Sequence, residues 1–335
     1  MPLRIRSFIA ALLLLAAIPA RAESVKVEIG YIPILAATPL LIIDAEGWAK
    51  QEGLDLKLTR FEAGTAAIQA LAAGRIDVIY AGVGPVLVAK ASGVDVSVIA
   101  NSAVEELALV GRGDLAGYAK GRTAKEAIDK FVAEKGRKVK ISTQPPGSVP
   151  DTVLRYWLTK VAKIDADKVE LASMGIEKTQ QALMAGAVDA AMIREPTITV
   201  VRDQDPNAAV LALGGEMFPG QPGTVVAAHG SFLKAHPDAA AKLVRLHLRA
   251  SELIAKDKAH AARDAQEYIG KGLIELATTE RAISSPSSKF IADPHAVVEP
   301  TERMQAFQKE QGTLGSTVPV AEVFDFSFYD AAVRK

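Results

Sequence analysis

Cysteine is absent from this sequence. That excludes disulfide staples, so the hydrophobic core alone must hold the chain. It also excludes a lipid carried on an N-terminal cysteine. Charge of one sign is not in excess: 39 basic side chains stand against 39 acidic ones. So balanced a surface gives no electrostatic reason to bind nucleic acid or an anionic membrane. Histidine occurs five times, at His229, His236, His247, His260 and His295, and no spacing among them matches a zinc site. Neither a G-x-S-x-G elbow nor a P-loop is written in the chain, and "GVGP" is too slight for a dinucleotide fingerprint. The expectation is a binding protein, not an enzyme, with no metal and no cofactor.

Long apolar runs are also scarce. The longest, "FIAALLLLAAI" from Phe8 to Ile18, follows Arg4 and Arg6 and precedes Pro19 and "ARA" at Ala20–Ala22. A basic start, a short apolar run and a small-x-small site make up a secretory signal peptide. The run is too short for a membrane span, which needs about 20 residues. The expectation is residues 1–22 as a signal peptide cleaved after Ala22, and a mature protein in the periplasm without stable membrane insertion. Removing Arg4, Arg6 and Arg21 leaves a faintly acidic chain, long enough to expect two lobes.

What is present is a repeat. "QALAAGRID" at Gln69 returns as "QALMAGAVD" at Gln181, and in the same register "KVEI" at Lys26 falls on "KVKI" at Lys138. Around each copy the pattern reads strand, helix, strand, helix, strand. In the first copy these are Val25–Ile32, a helix from Thr38 continuing through "LLIIDAEGWAKQE", "LDLKLTRF", "AAIQALAAG" and "IDVIYAG", with "VSVIAN" as a further strand. In the second they are "KVKI", a helix from Ser148, "KVELASM" and "AAMI". Such alternation implies parallel sheets covered by helices. Gly74 and Gly186 read as helix C-terminal caps, and Asp77 and Asp189 as strand-opening acids bonded to nearby N–H groups. "TVVAAH" is one more strand, and "HPDAAAKLVRLHLRASELIAKD" a long amphipathic helix.

In open α/β sheets ligands bind beyond the carboxyl ends of the strands, and two hinged lobes place those edges across a cleft. The loops there are rich in Gly, Pro and hydroxyl groups. From the first copy they offer Pro33, Ile34, Thr38, Gly82, Val83 and Gly84, with Asn101 at the expected hinge. From the second they offer Gln144, Gly147, Ser148 and Met174, then Arg194 and Glu195. Thr224 opens the strand that follows. Each has a plainer reading. Thr38 serves equally as a helix cap, and Ser148 with Asp151 as a capping box. Arg194 and Glu195 form either a mutual or cross-lobe ion pair or a grip on a carboxylate or sulfonate.

The order of "GYIPILAATPLLIIDAEGWAKQEGLDLKL", "AGRIDVIYAGVGP", "PPGSVPD" and "IREP" resembles the periplasmic solute-binding proteins of the nitrate/sulfonate/taurine type. These feed ATP-driven (ABC) importers. The resemblance implies a type II periplasmic-binding fold, two Rossmann-like α/β lobes joined by a hinge. Lobe 1 would comprise residues 23–110 and 213–335, and the inserted lobe 2 residues 111–212. It implies a ligand near Ile34, Gly84, Ser148 and Glu195, a membrane permease with its ATPase as partners, and a monomer. Cleft loops poor in basic residues and lined by "IPILAA" point to a small organic solute with one polar end, a sulfonate or carboxylate. A pyrimidine thiamine precursor is the alternative. The same fold hosts enzymes, among them thiamine-pyrimidine synthases that resemble this family and use a His- and Cys-rich iron site; the lack of cysteine and the expected export signal oppose that reading. A sensory ligand-binding protein is a further alternative.

Overall fold

The computed structural model describes residues 24–269 and 273–334. The apolar run 8–18 and the expected cleavage after Ala22 lie outside them. The described strands are β1 Val25–Tyr31, β2 Leu54–Arg60, β3 Val78–Gly82, β4 Val96–Asn101, β5 Ala103–Val104, β6 Leu107–Gly111, β7 Val139–Thr143, β8 Val169–Ser173, β9 Ala190–Arg194, β10 Ala209–Leu213, β11 Thr224–His229 and β12 Lys289–Phe290. They form one sheet ordered β2-β1-β3-β11-β4, a second ordered β10-β6-β9-β7-β8, and a small β12-β5 pair.

The two large sheets repeat one plan. In the first, β1 lies parallel between β2 and β3; in the second, β7 lies parallel between β8 and β9. Each adds an antiparallel fourth strand next to the third, β11 beside β3 and β6 beside β9. Those fourth strands are exchanged. β6 comes from chain that has just left the first sheet, and β11 from chain returning from the second.

The duplication extends to single hydrogen bonds. The Glu28 N–H donates to Asp77 Oδ2 at 2.9 Å, and 112 positions later the Lys140 N–H donates to Asp189 Oδ2 at 2.8 Å. The acids' own N–H groups return the bond, to the Glu28 and Lys140 carbonyls at 2.7 and 2.8 Å. Gly74 and Gly186 sit just past their helices at φ +66° and +69°, the left-handed conformation a glycine adopts without a Cβ penalty. Asp189 is held further by Arg137, whose Nη1 and Nη2 donate to it at 2.7 and 2.8 Å. Asp189→Ala should therefore lower the stability to urea by about 1–3 kcal/mol, the usual cost of stranding such donors.

Several expectations need correction. The helix from Thr38 does not run through to Gly53. It stops at Ala45 and restarts at Trp48, because Gly47 takes φ +65°. Thr38 is not the cap: the 3-10 turn Leu35–Ala37 precedes it, so Ala37 caps and Thr38 is the first helical residue. "VGP" is not a loop but the first turn of the helix Val83–Ala91. Leu107–Gly111 pairs in the second sheet, so a first lobe reaching residue 110 includes a strand of the other sheet. β10, Ala209–Leu213, is a strand that the sequence reading did not include.

The core follows from composition. Leu40, Leu41, Ile42 and Ile43 are all fully buried. A helix apolar on every side must be covered on every side, and Thr38–Ala45 is packed against the helices Pro237–Lys256 and Lys258–Gln266. Each such side chain contributes about 1.5–3 kcal/mol by leaving water. No helix among the described residues is long and apolar enough to cross a membrane.

Candidate ligand cleft

The carboxyl ends of β1, β2 and β3 face those of β7, β8 and β9. Two helices begin at this junction. Val83–Ala91 starts where β3 ends, and Val149–Tyr156 starts under the Ser148 cap, whose Oγ accepts from the Asp151 N–H at 3.4 Å. Helix N-termini offer unpaired N–H groups and partial positive charge. The Ser148 half of the expected capping box is present, but the other half is not. Asp151 turns to the Arg155 Nε, which donates to both its oxygens at 3.0 Å. Burial raises the Asp151 carboxyl above its ordinary pKa, against the pull of Arg155.

The lobes meet closely. A Cβ on Gly82 would lie 2.7 Å from Val149 Cγ2, and one on Gly84 would lie 2.8 Å from the Gly147 carbonyl oxygen. The Leu35 N–H donates across the junction to the Glu195 carbonyl at 3.0 Å. At the mouth Arg60 pairs with Glu177 at 2.5 Å and approaches Glu62 at 3.8 Å, while the Ile176 N–H donates to the Glu62 carbonyl at 3.1 Å. The cavity left between the lobes is about 10 Å³, room for roughly one water. Any larger solute requires the lobes to part.

Six of the expected contacts line this cavity: Ile34, Gly82, Gln144, Ser148, Arg194 and Thr224. Ile32, Gly64, Pro85, Val149 and Pro150 complete it. The other expected residues fall elsewhere. Gly84 and Gly147 make the close backbone approach beside the cavity. Val83 is buried in the apolar core, its N–H donating to the Gly223 carbonyl at 3.3 Å. Thr38 is fully buried, its hydroxyl without a hydrogen-bond partner. Pro33 opens on a separate pocket of about 390 Å³ at the mouth. Met174 extends β8, its N–H donating to the Thr143 carbonyl.

Asn101 is structural. Its Nδ2 donates to the Ile291 carbonyl at 2.5 Å, and its own carbonyl lies 2.8 Å from His247 Nε2. The other His247 nitrogen lies 3.2 Å from the Tyr80 hydroxyl. His247 is fully buried, and that burial pushes its pKa down to about 4.

Arg194 and Glu195 do not pair with each other. The Glu195 carboxylate accepts from the Thr199 N–H and hydroxyl, both at 3.0 Å. It faces a groove of about 820 Å³ outside the cleft, and burial raises its pKa. Arg194 pairs instead with Glu106: Nε lies 2.6 Å from Oε1, and the side chains are 5% and 2% exposed. The distance is that of an ion pair, yet neither atom meets hydrogen-bond geometry. Two opposite buried charges so close attract at any angle. The other Glu106 oxygen accepts from the Thr224 hydroxyl at 2.9 Å and the Thr224 N–H at 3.2 Å. Glu106 escaped the sequence reading. The available signal was an acidic pair, Glu105–Glu106, set directly against the apolar run Leu107–Val110.

The profile of the NMT1-like family matches residues 20–270. The chain belongs to the NMT1-like family. A Brucella abortus protein named as a binding protein is 30% identical over 217 residues, covering 64% of this chain and 62% of its own length. Solved structures share the fold of this NMT1-like chain across nearly its whole length. The alkanesulfonate-binding protein SsuA of Xanthomonas axonopodis, bound to MOPS, superposes with a TM-score of 0.72 at 21% identity, over 91% of this chain and all of that one. The nitrate-binding protein NrtA of Synechocystis gives 0.77 at 14% identity, over 93% and 89%. The architecture of this NMT1-like protein is thus the periplasmic-binding fold.

Proposed function

We propose that this protein is the solute-binding component of an ABC importer. It captures a small organic solute between its lobes in the periplasm and delivers it to a membrane permease with its ATPase. One observation carries the reading. A buried guanidinium, a capped helix N-terminus and a glycine-floored wall converge on a cavity between two lobes, where only a hinge motion admits a ligand. The names of the relatives support it, since they bind sulfonate, nitrate or an unnamed ligand. The apolar walls of Ile32, Ile34, Pro85 and Val149 suit an organic body, and Arg194, Ser148 and Gln144 suit one polar end.

The polar end is a sulfonate or carboxylate if Arg194 is free to exchange partners. The Arg194–Glu106 pair favours a second reading, an uncharged heterocycle such as a pyrimidine thiamine precursor. Ligand-stripped protein should be screened by thermal shift against sulfonates, carboxylates, pyrimidines and nitrate. A solute at a hundredfold excess over its Kd stabilises by about 2.7 kcal/mol, which moves the melting temperature by several degrees. If every member leaves it unchanged, the solute-binding reading fails.

A further inference from the structure

We propose that Glu106 makes the cleft a site for solutes of zero net charge, uncharged or zwitterionic, and rejects monoanions. The inference rests on the solute-binding reading above and names the substrate class of that same site.

Among the described residues lining the cavity, Arg194 is the only charged one. Its charge is already balanced by Glu106, which lies 2.6 Å away and is buried as deeply. Glu106 is not a side chain free to swing aside. Thr224 holds its second oxygen through two hydrogen bonds. Gly223 packs so close that a Cβ there would lie 2.9 Å from the Glu106 carboxyl carbon. Burying a charge requires a nearby opposite charge, so a monoanion sealed against Arg194 leaves one negative charge without a counter-ion.

Among the described residues lining the cavity, no second charged group is present to repair that balance. Asp151, in the first turn of the helix capped by Ser148, is matched by Arg155. At the mouth, the Arg60 guanidinium is engaged by Glu177 and approached by Glu62. The two helix N-termini add only partial positive charge. That suits an acceptor oxygen or ring nitrogen on a neutral solute, with Arg194, Ser148 and Gln144 as its polar partners. A solute with separate positive and negative groups meets the same balance.

The experiment pairs near-isosteric probes of different charge. Ligand-stripped wild type, Glu106→Gln and the double variant Glu106→Gln/Arg194→Gln are titrated calorimetrically with nicotinamide and taurine, both net neutral. They are titrated likewise with nicotinate, propanesulfonate, nitrate and bicarbonate. Glu106→Gln keeps the acceptor for Thr224 and frees one positive charge, so it should gain at least tenfold in affinity for an anion. The double variant, neutral again, should lose that gain. Unchanged melting of the apo variants' cooperative transition separates this switch from misfolding. Wild type binding an anion as tightly as Glu106→Gln does, or more tightly, overturns the inference and leaves the importer reading standing. No binding of any probe by any of the three proteins overturns the importer reading and the inference with it.

Discussion

Gly84→Ala should abolish solute-dependent closure while leaving the protein folded and slightly more stable without ligand. Gly84 lies in the first turn of the helix Val83–Ala91 and does not have a positive φ. Alanine in a helix is favoured over glycine by roughly 0.5–1 kcal/mol, so the fold gains. The closed lobes do not tolerate it. The added methyl group would sit 2.8 Å from the Gly147 carbonyl oxygen and 3.0 Å from Gln308 Nε2. The carbonyl belongs to backbone and cannot rotate away. Affinity for any solute that binds by closure should fall on the order of 100-fold, about 2.7 kcal/mol. Small-angle scattering should show wild type becoming more compact with ligand and the variant not. Gly82→Ala should do less, because its obstacle is the Val149 side chain, which can yield. A Gly84→Ala protein that binds and compacts like wild type would place the ligand somewhere other than this cleft.

The second large effect is in pH. His247 is enclosed by Tyr80 and the Asn101 carbonyl and has its pKa lowered to about 4, against about 6.5 in an unfolded chain. Between those values the unfolded chain binds a proton that the folded one refuses. Stability therefore rises with pH through this window, and the contribution is lost as pH falls from about 6.5 to 4. The loss approaches about 3 kcal/mol at pH 4. Asp151 and Glu195 have raised pKa values, so their contributions run the other way and offset part of it. His247→Gln isolates the histidine, since glutamine can still donate to Asn101 and accept from Tyr80. Urea denaturation of both proteins from pH 7 to pH 4 should give curves that converge on acidification. Parallel curves would mean that His247 takes up its proton in the folded protein as readily as in the unfolded chain.

The sequence revealed what is local or periodic. Glycine caps, strand-opening acids and the 112-residue offset all rest on contacts within one copy, and the structure holds them to single hydrogen bonds. It hid what depends on distant chain. β6 and β10 are short apolar stretches without alternation, and only their partners make them strands. Arg194 stood out as a charge at the end of an apolar strand, but its partner lies on the crossing segment before β6. No spacing announces that meeting. Gln308, fully buried against Gly147 and Thr152, comes from a helix outside both copies. Asn101 ends a strand near the hinge, yet it is tied to His247 and Ile291 rather than to the cleft. The ends of β1, β3, β7 and β9 could be foreseen as a ligand edge. Which of their side chains is spoken for by another element could not.

The strand exchange limits how the gene can be cut. A fragment ending at Asn101 carries β1 to β4 but lacks β11, the strand that joins β3 to β4. Its sheet would be left in two pieces. A fragment spanning residues 112–223 lacks β6, which joins β9 to β10, and fails in the same way. The repeated plan therefore does not make two detachable halves. A single-lobe domain for display or grafting has to borrow its missing strand, either as a synthetic peptide or by rejoining the chain in a new order.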